Sequence, residues 1–326
     1  MSESAPFPVL SLENERQSRY MPPQQDGVLV LDKPGGMTSA ACIARVKRCL
    51  GQKKIGHAGT LDPMATGVLL VLLGQATKIS GPLMDGGDKI YSGVIRLGIV
   101  TDTWDADGQV LETRPVTGVD NARLQIEMAA LTGSYDQEIP AYSAAKHEGR
   151  PLYALARKGH AVPVKKKFVS ITRGEAELVG FERVRFRVTC SSGTYIRSLA
   201  HSLGKRLGCG AMLEELTREY SHPFGIVAAH ALDDALGDPE GFPSRVAGIA
   251  EALPAWPKLR VSRAAAAQVR NGARLAYEPE SLTMAPFAPG LKALMVEEDG
   301  TALALAETTL DNQGREVWGI VRGLWK

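Results

Sequence analysis

The chain has 326 residues, 44% of them hydrophobic and 23% charged, with 38 Lys and Arg nearly balanced by 36 Asp and Glu. That length supplies one large domain and a small one, and the composition excludes fibrous, low-complexity and membrane-spanning classes. A net charge of +2 gives no overall pull towards nucleic acid. The longest apolar run, Val68 to Leu73, is far short of the ~20 residues that cross a bilayer. Cysteines 42, 49, 190 and 209 show no Cys-x-x-Cys pair and no nearby His at zinc-ligand spacing, so neither a metal centre nor a disulfide framework is expected and a reducing cytoplasm is the default.

Residues 1–25 are polar and proline-bearing and lack the basic-then-apolar order of a signal peptide, so they read as a disordered tail. Order begins at Gly27–Lys33, a short buried strand ended by Pro34-Gly35-Gly36 turn chemistry. Thr38 or Ser39 can cap a helix with Ile43, Val46 and Leu50 on one face and Gly51 as its stop. The spacing also places Cys42 and Cys49 on that helix as small apolar groups. Val68–Leu73 and Tyr91–Leu97 read as strands. Asp120 opens a helix with Leu124, Met128 and Leu131 at helical spacing, closed by Gly133. Val184–Cys190 alternates cleanly, with Arg185 and Arg187 on the polar face. A helix from Thr194 carries an Ile196, Leu199, Ala200, Leu203, Leu207 stripe and stops at Gly208. An Ala- and Pro-rich stretch near Ala250–Pro257 marks a boundary, beyond which short strands such as Leu291–Val296 and Trp318–Arg322 dominate. Strands and helices mix without regular alternation, which favours α+β over a doubly wound sheet. With no Gly-x-Gly-x-x-Gly and no P-loop, a nucleotide cofactor is not indicated.

The run Gly56-His57-Ala58-Gly59-Thr60-Leu61-Asp62-Pro63-Met64-Ala65-Thr66-Gly67 holds one carboxylate among small residues. Glycines at 56, 59 and 67 permit positive φ, and Pro63 stiffens the turn after Asp62. An aspartate presented this way can act as nucleophile or base; Asp before Pro is equally a common helix start, as N-cap and N1. From Lys146 to Lys167 there are seven Lys or Arg against one acid, Glu148. Such a segment can neutralise phosphates, or form a solvated face.

The whole 56–67 run resembles the Gly-His-x-Gly-x-Leu-Asp-Pro-x-Ala-x-Gly motif of the bacterial tRNA pseudouridine-55 synthases, the TruB family, whose aspartate is essential. Lys89-Ile90-Tyr91, Ser192-Gly193-Thr194-Tyr195-Ile196-Arg197, Leu216-Thr217-Arg218, Lys33-Pro34 and Ile139–Lys146 each match a further segment of that family. Three departures are visible: Ile139 stands where the family has a first Pro, Glu219 where a Thr is common, and Gly225 comes late. The resemblance implies a catalytic domain over 26–256, with a central mixed, mostly antiparallel sheet and an RNA-binding insertion at about 138–168. A small PUA-like β domain would cover 257–326. It implies Asp62 as the carboxylate that attacks the nucleoside or promotes glycosidic cleavage, Arg197 as its ion-pair partner and Tyr195 as an aid to proton transfer. Tyr91 would stack on the extruded uracil and Leu216 would pack against it. His57 and Lys146 would contact RNA, and Lys33 would buttress the site. The partner implied is the tRNA T-arm, met by a monomer that needs neither metal nor cofactor for an isomerisation of uridine-55. A glycoside-type hydrolase would require a second acid near Asp62; Asp102, Asp105 and Asp107 read instead as a solvated turn. The residues also leave open a non-catalytic RNA-binding protein and a synthase acting on ribosomal RNA.

Overall fold

The computed structural model describes residues 21–156, 162–278 and 287–325. In chain order come β1 (Gly27–Lys33), α1 (Ser39–Leu50), β2 (Ile55–Ala58), β3 (Thr66–Leu73), α2 (Ser80–Asp85), β4 (Lys89–Leu97), β5 (Ile99–Thr101), β6 (Val110–Thr113) and α3 (Asn121–Ala129). β7 (Gly133–Glu138) leads into a small hairpin, β8 (Lys146–His147) and β9 (Arg150–Pro151), and α4 (Leu152–Ala156). Then follow β10 (Lys166–Leu178), β11 (Arg183–Cys190), α5 (Ile196–Leu207) and β12 (Ala211–Ser221). Short pieces complete the large unit: β13 (Phe224–Gly225), β14 (His230–Ala231), α6 (Leu232–Gly237), β15 (Val246–Ala247) and α7 (Ile249–Ala252). The C-terminal unit holds β16 (Lys258–Arg260), α8 (Arg263–Arg270), β17 (Leu275–Ala276), β18 (Lys292–Val296), β19 (Ala302–Leu310) and β20 (Glu316–Gly323).

The fold is α+β. The main sheet runs β14-β1-β3-β12-β4-β11-β10-β7, with β2 on β3, β13 on β12 and β15 on β1. It is antiparallel except at β1–β14 and β3–β12. The second sheet, β16-β18-β19-β20-β17, has its own core around Leu259, Val269, Met295 and Trp318.

Hydrophobic patterning explains how the layers stack. β11 alternates buried and exposed because one face meets the core, and its Arg187 pairs with Glu219 on the other. β3 is apolar without interruption because both of its faces are covered. Leu69, Val71 and Leu73 join the large core with α1 and α5 residues. Val68, Leu70 and Leu72 pack, with Val28 and Val30 of β1, against α7 and against Leu294, Val296 and Leu305 of the C-terminal unit. Among the described residues no helix is long and apolar enough to cross a membrane.

Helix ends follow local chemistry. Thr38 caps α1 by accepting from Ala41 N at 3.1 Å, and Gly51 ends it in the left-handed region. Its buried line is Cys42, Val46 and Leu50, whereas Ile43 is only half-buried. Asp120 caps α3 and Gly208 ends α5 as the sequence suggests. α3, however, stops at Ala129; Leu131 is buried beyond the helix, and Gly133 starts β7 instead. All four cysteines are free thiols, Cys49 half-buried and the others buried. Residues 1–20 lie outside the described residues, while Gln24 and Gln25, at the end of the expected tail, hydrogen bond to Gly51, Gln52 and Lys53.

Two glycines of the turn region separate conformational need from space. Gly36 has φ +76° with open space where a Cβ would stand, while Gly67 has φ +95° and a Cβ there would meet Arg218 O at 2.3 Å. Gly36→Ala is therefore expected to cost about 1 kcal/mol, by φ strain alone. Gly67→Ala would force β3 away from β12 and cost roughly 3 kcal/mol or more. Denaturant midpoints of the two variants check this; equal losses would refute it.

Candidate active site

Asp62 sits in a tight turn, not at a helix start: Ala65 N donates back to Asp62 O at 3.1 Å, with Pro63 between them. Every carbonyl from Gly59 to Pro63 is held. Arg218 Nη2 donates to Gly59 O at 2.9 Å and Nη1 to Thr60 O at 3.5 Å. Ser39 Oγ donates to Leu61 O and accepts from Leu61 N. Lys33 Nζ (3.1 Å) and Gly36 N (2.9 Å) both donate to Pro63 O. A backbone with its polar groups satisfied this way cannot relax to re-aim its side chain. Of the glycines in the run, Gly59 and Gly67 adopt positive φ, while Gly56 lies in β2 without it.

Arg197 meets that turn from the first turn of α5. Its Nε lies 2.9 Å from Asp62 Oδ2, and Nη2 donates to Oδ1 at 3.1 Å. The guanidinium side chain is 5% exposed and the Asp62 side chain 34%, so the pair is closed on the arginine side and open on the carboxylate side. Arg197 also donates to Thr103 O at 3.1 Å and to Tyr142 O at 2.9 Å, which ties the segment between β7 and β8 to the site. On its far side Nη1 lies 3.4 Å from Asp105 Oδ2.

Asp105 corrects the sequence reading. Asp107 is exposed, but Asp105 is buried, bridged to Leu213 and accepting from Thr103 Oγ1 at 2.5 Å and Asp107 N at 3.1 Å. Burial pushes its carboxyl up, opposed by Thr103 and by Arg197. Its burial comes from β12 packing over the loop, which local composition cannot reveal. Arg218, also missed as a site residue, is fully buried and staples the turn, its Nε donating to Val68 O at 2.7 Å. The Leu-x-Arg match is the signal that points to it.

Tyr91 on β4 and Leu216 on β12 are nearly buried and share one apolar cluster with Leu61, next to Asp62. Burial raises the Tyr91 phenol, and the positive charge of Arg218 opposes the shift. Tyr195 precedes α5, its backbone N and O both bonded to the Gln137 side chain. Burial raises its phenol too, opposed by Ser143 and Arg197 and reinforced by Asp62. The structure thus brings together Asp62, Arg197, Tyr195, Tyr91 and Leu216. Lys33 is fully buried, donating also to Pro34 O and Met37 O, so it supports the turn from behind. His57 is half-buried on β2 opposite Val71, and Lys146 pairs through its backbone with Pro151. The Lys146 side chain, and Arg157 and Lys158 of the basic run, lie outside the described residues.

Lys89, two residues before Tyr91, is buried with Nζ donating to Met84 O (3.2 Å) and Ser192 Oγ (2.5 Å). Burial first, then Arg218, pulls its ammonium from 10.5 down to about 8. Between those values the unfolded chain holds more protons, so this group makes stability rise as pH climbs from about 8 to 10.5. Its charge costs on the order of 3 kcal/mol at neutral pH. Lys89→Met is expected to flatten that rise in denaturation measured across the interval; an unchanged slope would refute the assignment.

A model described as TruB family pseudouridylate synthase (N terminal domain) matches residues 47–196. The chain is 61% identical over 305 residues to the tRNA pseudouridine synthase B of Nitratidesulfovibrio vulgaris (strain DSM 19637 / Miyazaki F), covering 94% of this chain and 98% of that one. It is 58% identical over 302 residues to the tRNA pseudouridine synthase B of Oleidesulfovibrio alaskensis, covering 93% and 97%. Among solved structures, one from a Cbf5-Nop10-Gar1 complex aligns over 92% of this chain and 85% of its own, with TM-score 0.70 and 26% identity. One from an H/ACA RNP bound to a substrate RNA containing 2'-deoxyuridine gives TM-score 0.69 at 24% identity over 92% and 85%, and so shares the fold. The chain belongs to the TruB family of pseudouridylate synthases.

Proposed function

We propose that the protein isomerises uridine-55 in the T-loop of tRNA to pseudouridine, with Asp62 as the attacking carboxylate. The observation that carries this reading is the Asp62 carboxylate itself: held on a turn with satisfied backbone, ion-paired to buried Arg197 and open on its other side. Beside it, Tyr91 supplies an aromatic face and Leu216 an apolar wall for a base taken out of the RNA. Asp62 attacks the nucleoside, the glycosidic N1–C1′ bond breaks, the uracil turns and bonds to C1′ through C5, and the carboxylate is released free. Tyr195 assists the proton transfer at C5. The proton on C5 leaves and N1 takes one up, so the product is an isomer of the substrate and no redox equivalent is consumed.

The tRNA assignment draws on the names of the relatives, tRNA pseudouridine synthase B. The insertion at about 138–168 grips the T-arm through its cationic residues, and residues 257–326 act as a PUA-like RNA-binding domain in a cytoplasmic enzyme. A T-arm RNA carrying tritium at C5 of uridine tests the reading. Release of label is expected from the uridine-55 RNA and not from one with cytidine there and labelled uridines elsewhere. Equal release from both would overturn the site assignment, and none from the uridine-55 RNA would overturn the activity.

A further inference from the structure

The loop joining β5 to β6 holds the rear of Arg197 through Thr103 O and the Asp105 carboxylate. Between those two residues stands Trp104 with φ +64°, a left-handed backbone that a bulky side chain adopts only when its surroundings impose it. What imposes it lies on α5. The Trp104 indole is stacked on the His201 imidazole, ring centroids 4.3 Å apart and planes 8° from parallel. Backbone bonds from Trp104 N to Thr101 O and from Leu213 N to Trp104 O fix the peptide on either side.

His201 stands four residues after Arg197, one helical turn along the same face of α5. The helix therefore grips one loop at two successive turns, by polar contacts from Arg197 and by a ring face from His201. The imidazole serves through its face: Nδ1 is buried with no hydrogen-bond partner among the described residues. Burial also pulls its pKa below the ordinary value, against Glu138 and with Lys205, so the ring is neutral at pH 7.

We propose that Trp104 and His201 form a stacked clamp that positions Thr103 O and Asp105 against Arg197, and through Arg197 aims the Asp62 carboxylate. Both are positioning residues for the isomerisation, a role that rests on the reading of Asp62 and Arg197 given above. Without the stack, residue 104 leaves the left-handed region and carries its neighbours' carbonyl and carboxylate away from the guanidinium.

The test compares Trp104→Ala, His201→Ala, their double variant, Trp104→Gly and Trp104→Phe. In tritium release from T-arm RNA, kcat should fall roughly 10- to 100-fold in either alanine variant with KM unchanged. The double variant should be no worse than the single ones, and Trp104→Phe should recover to within about threefold. Trp104→Gly accepts φ +64° without strain, so it should fold well and still lose turnover. Wild-type kcat in the alanine variants, or losses that multiply in the double variant, would overturn the clamp. Hydrogen exchange of the Arg197 guanidinium, followed by NMR without RNA, gives a readout free of activity. It should quicken in Trp104→Ala and slow again in Trp104→Phe; unchanged exchange overturns the clamp whatever the turnover. Faster exchange in a protein whose wild type releases no tritium would refute the RNA-isomerase reading and leave the clamp standing.

Discussion

Asp62→Asn is expected to reduce tritium release from T-arm RNA by roughly 10⁴-fold or more while leaving RNA affinity within a few-fold of wild type. The substitution changes one oxygen to a nitrogen and keeps the shape of the side chain. The turn should survive it, because its carbonyls are held by Lys33, Ser39, Arg218 and the local backbone rather than by the Asp62 side chain. What disappears is the proposed nucleophile and half of the ion pair with Arg197. An amide has no charge to offer the ribose or the base, so binding without turnover is the signature. Turnover that persists in Asp62→Asn would remove the carboxylate from the mechanism.

Arg197→Met should be the most damaging single change to the folded state, and it should lower activity as well. It strips the countercharge from two carboxylates, and one of them, Asp105, is 6% exposed. Leaving a buried charge unpaired costs on the order of 3–5 kcal/mol. Thr103 O and Tyr142 O lose a donor in the same step. The pH dependence has a definite sign. The Asp105 carboxyl already lies above its ordinary value of 3.8, and it rises further once the guanidinium is gone. A folded-state pKa above the unfolded one means that stability falls as pH rises through the interval between them. Arg197→Met should therefore be more stable in mild acid than above neutrality, relative to wild type. Adding Asp105→Asn should recover most of the stability at neutral pH and none of the turnover. Denaturation curves for both variants, run beside the tritium assay, check each half. Stability unrestored in the double variant would show that the Asp105 charge is not the cause.

Elements built from local rules are the legible part of this chain. Thr38, Asp120, Gly51 and Gly208 mark helix ends by their own chemistry, and the alternation in β11 needs only one covered face. Ile43 shows the limit of such reading: 43, 46 and 50 share a helical face as readily as 42, 46 and 50 do, and packing against the sheet chooses between them. The site divides similarly. Asp62 stands out because glycines and Pro63 crowd one short run, although whether it caps a helix or opens a turn depends on Ala65 N bonding back to it. Asp105 is the opposite case. Thr, Asp and Gly around it spell a solvated loop, and only β12 and α5, distant in sequence, make that loop an interior. The Trp104–His201 stack joins positions that no spacing rule connects. Lys33 before Pro34 reads as a turn lysine, yet three carbonyls converge on its ammonium.

The parallel contact between β3 and β12 extends over Thr66–Thr217 and Gly67–Arg218 alone. On one side of that short seam lies the strand pair that presents Asp62; on the other lie the strands and helix bearing Tyr91, Leu216 and Arg197. The Asp62 carboxylate and the walls that would receive a base thus belong to different halves, joined in the sheet by two residue pairs and across it by the Arg197–Asp62 ion pair, a shared apolar core and Arg218 reaching to Gly59, Thr60 and Val68. Alignment of the two halves is governed at the joint, not within either half. A change at Arg218 would therefore loosen both halves at once, because its guanidinium holds the backbone of one while its own backbone pairs with β4 in the other.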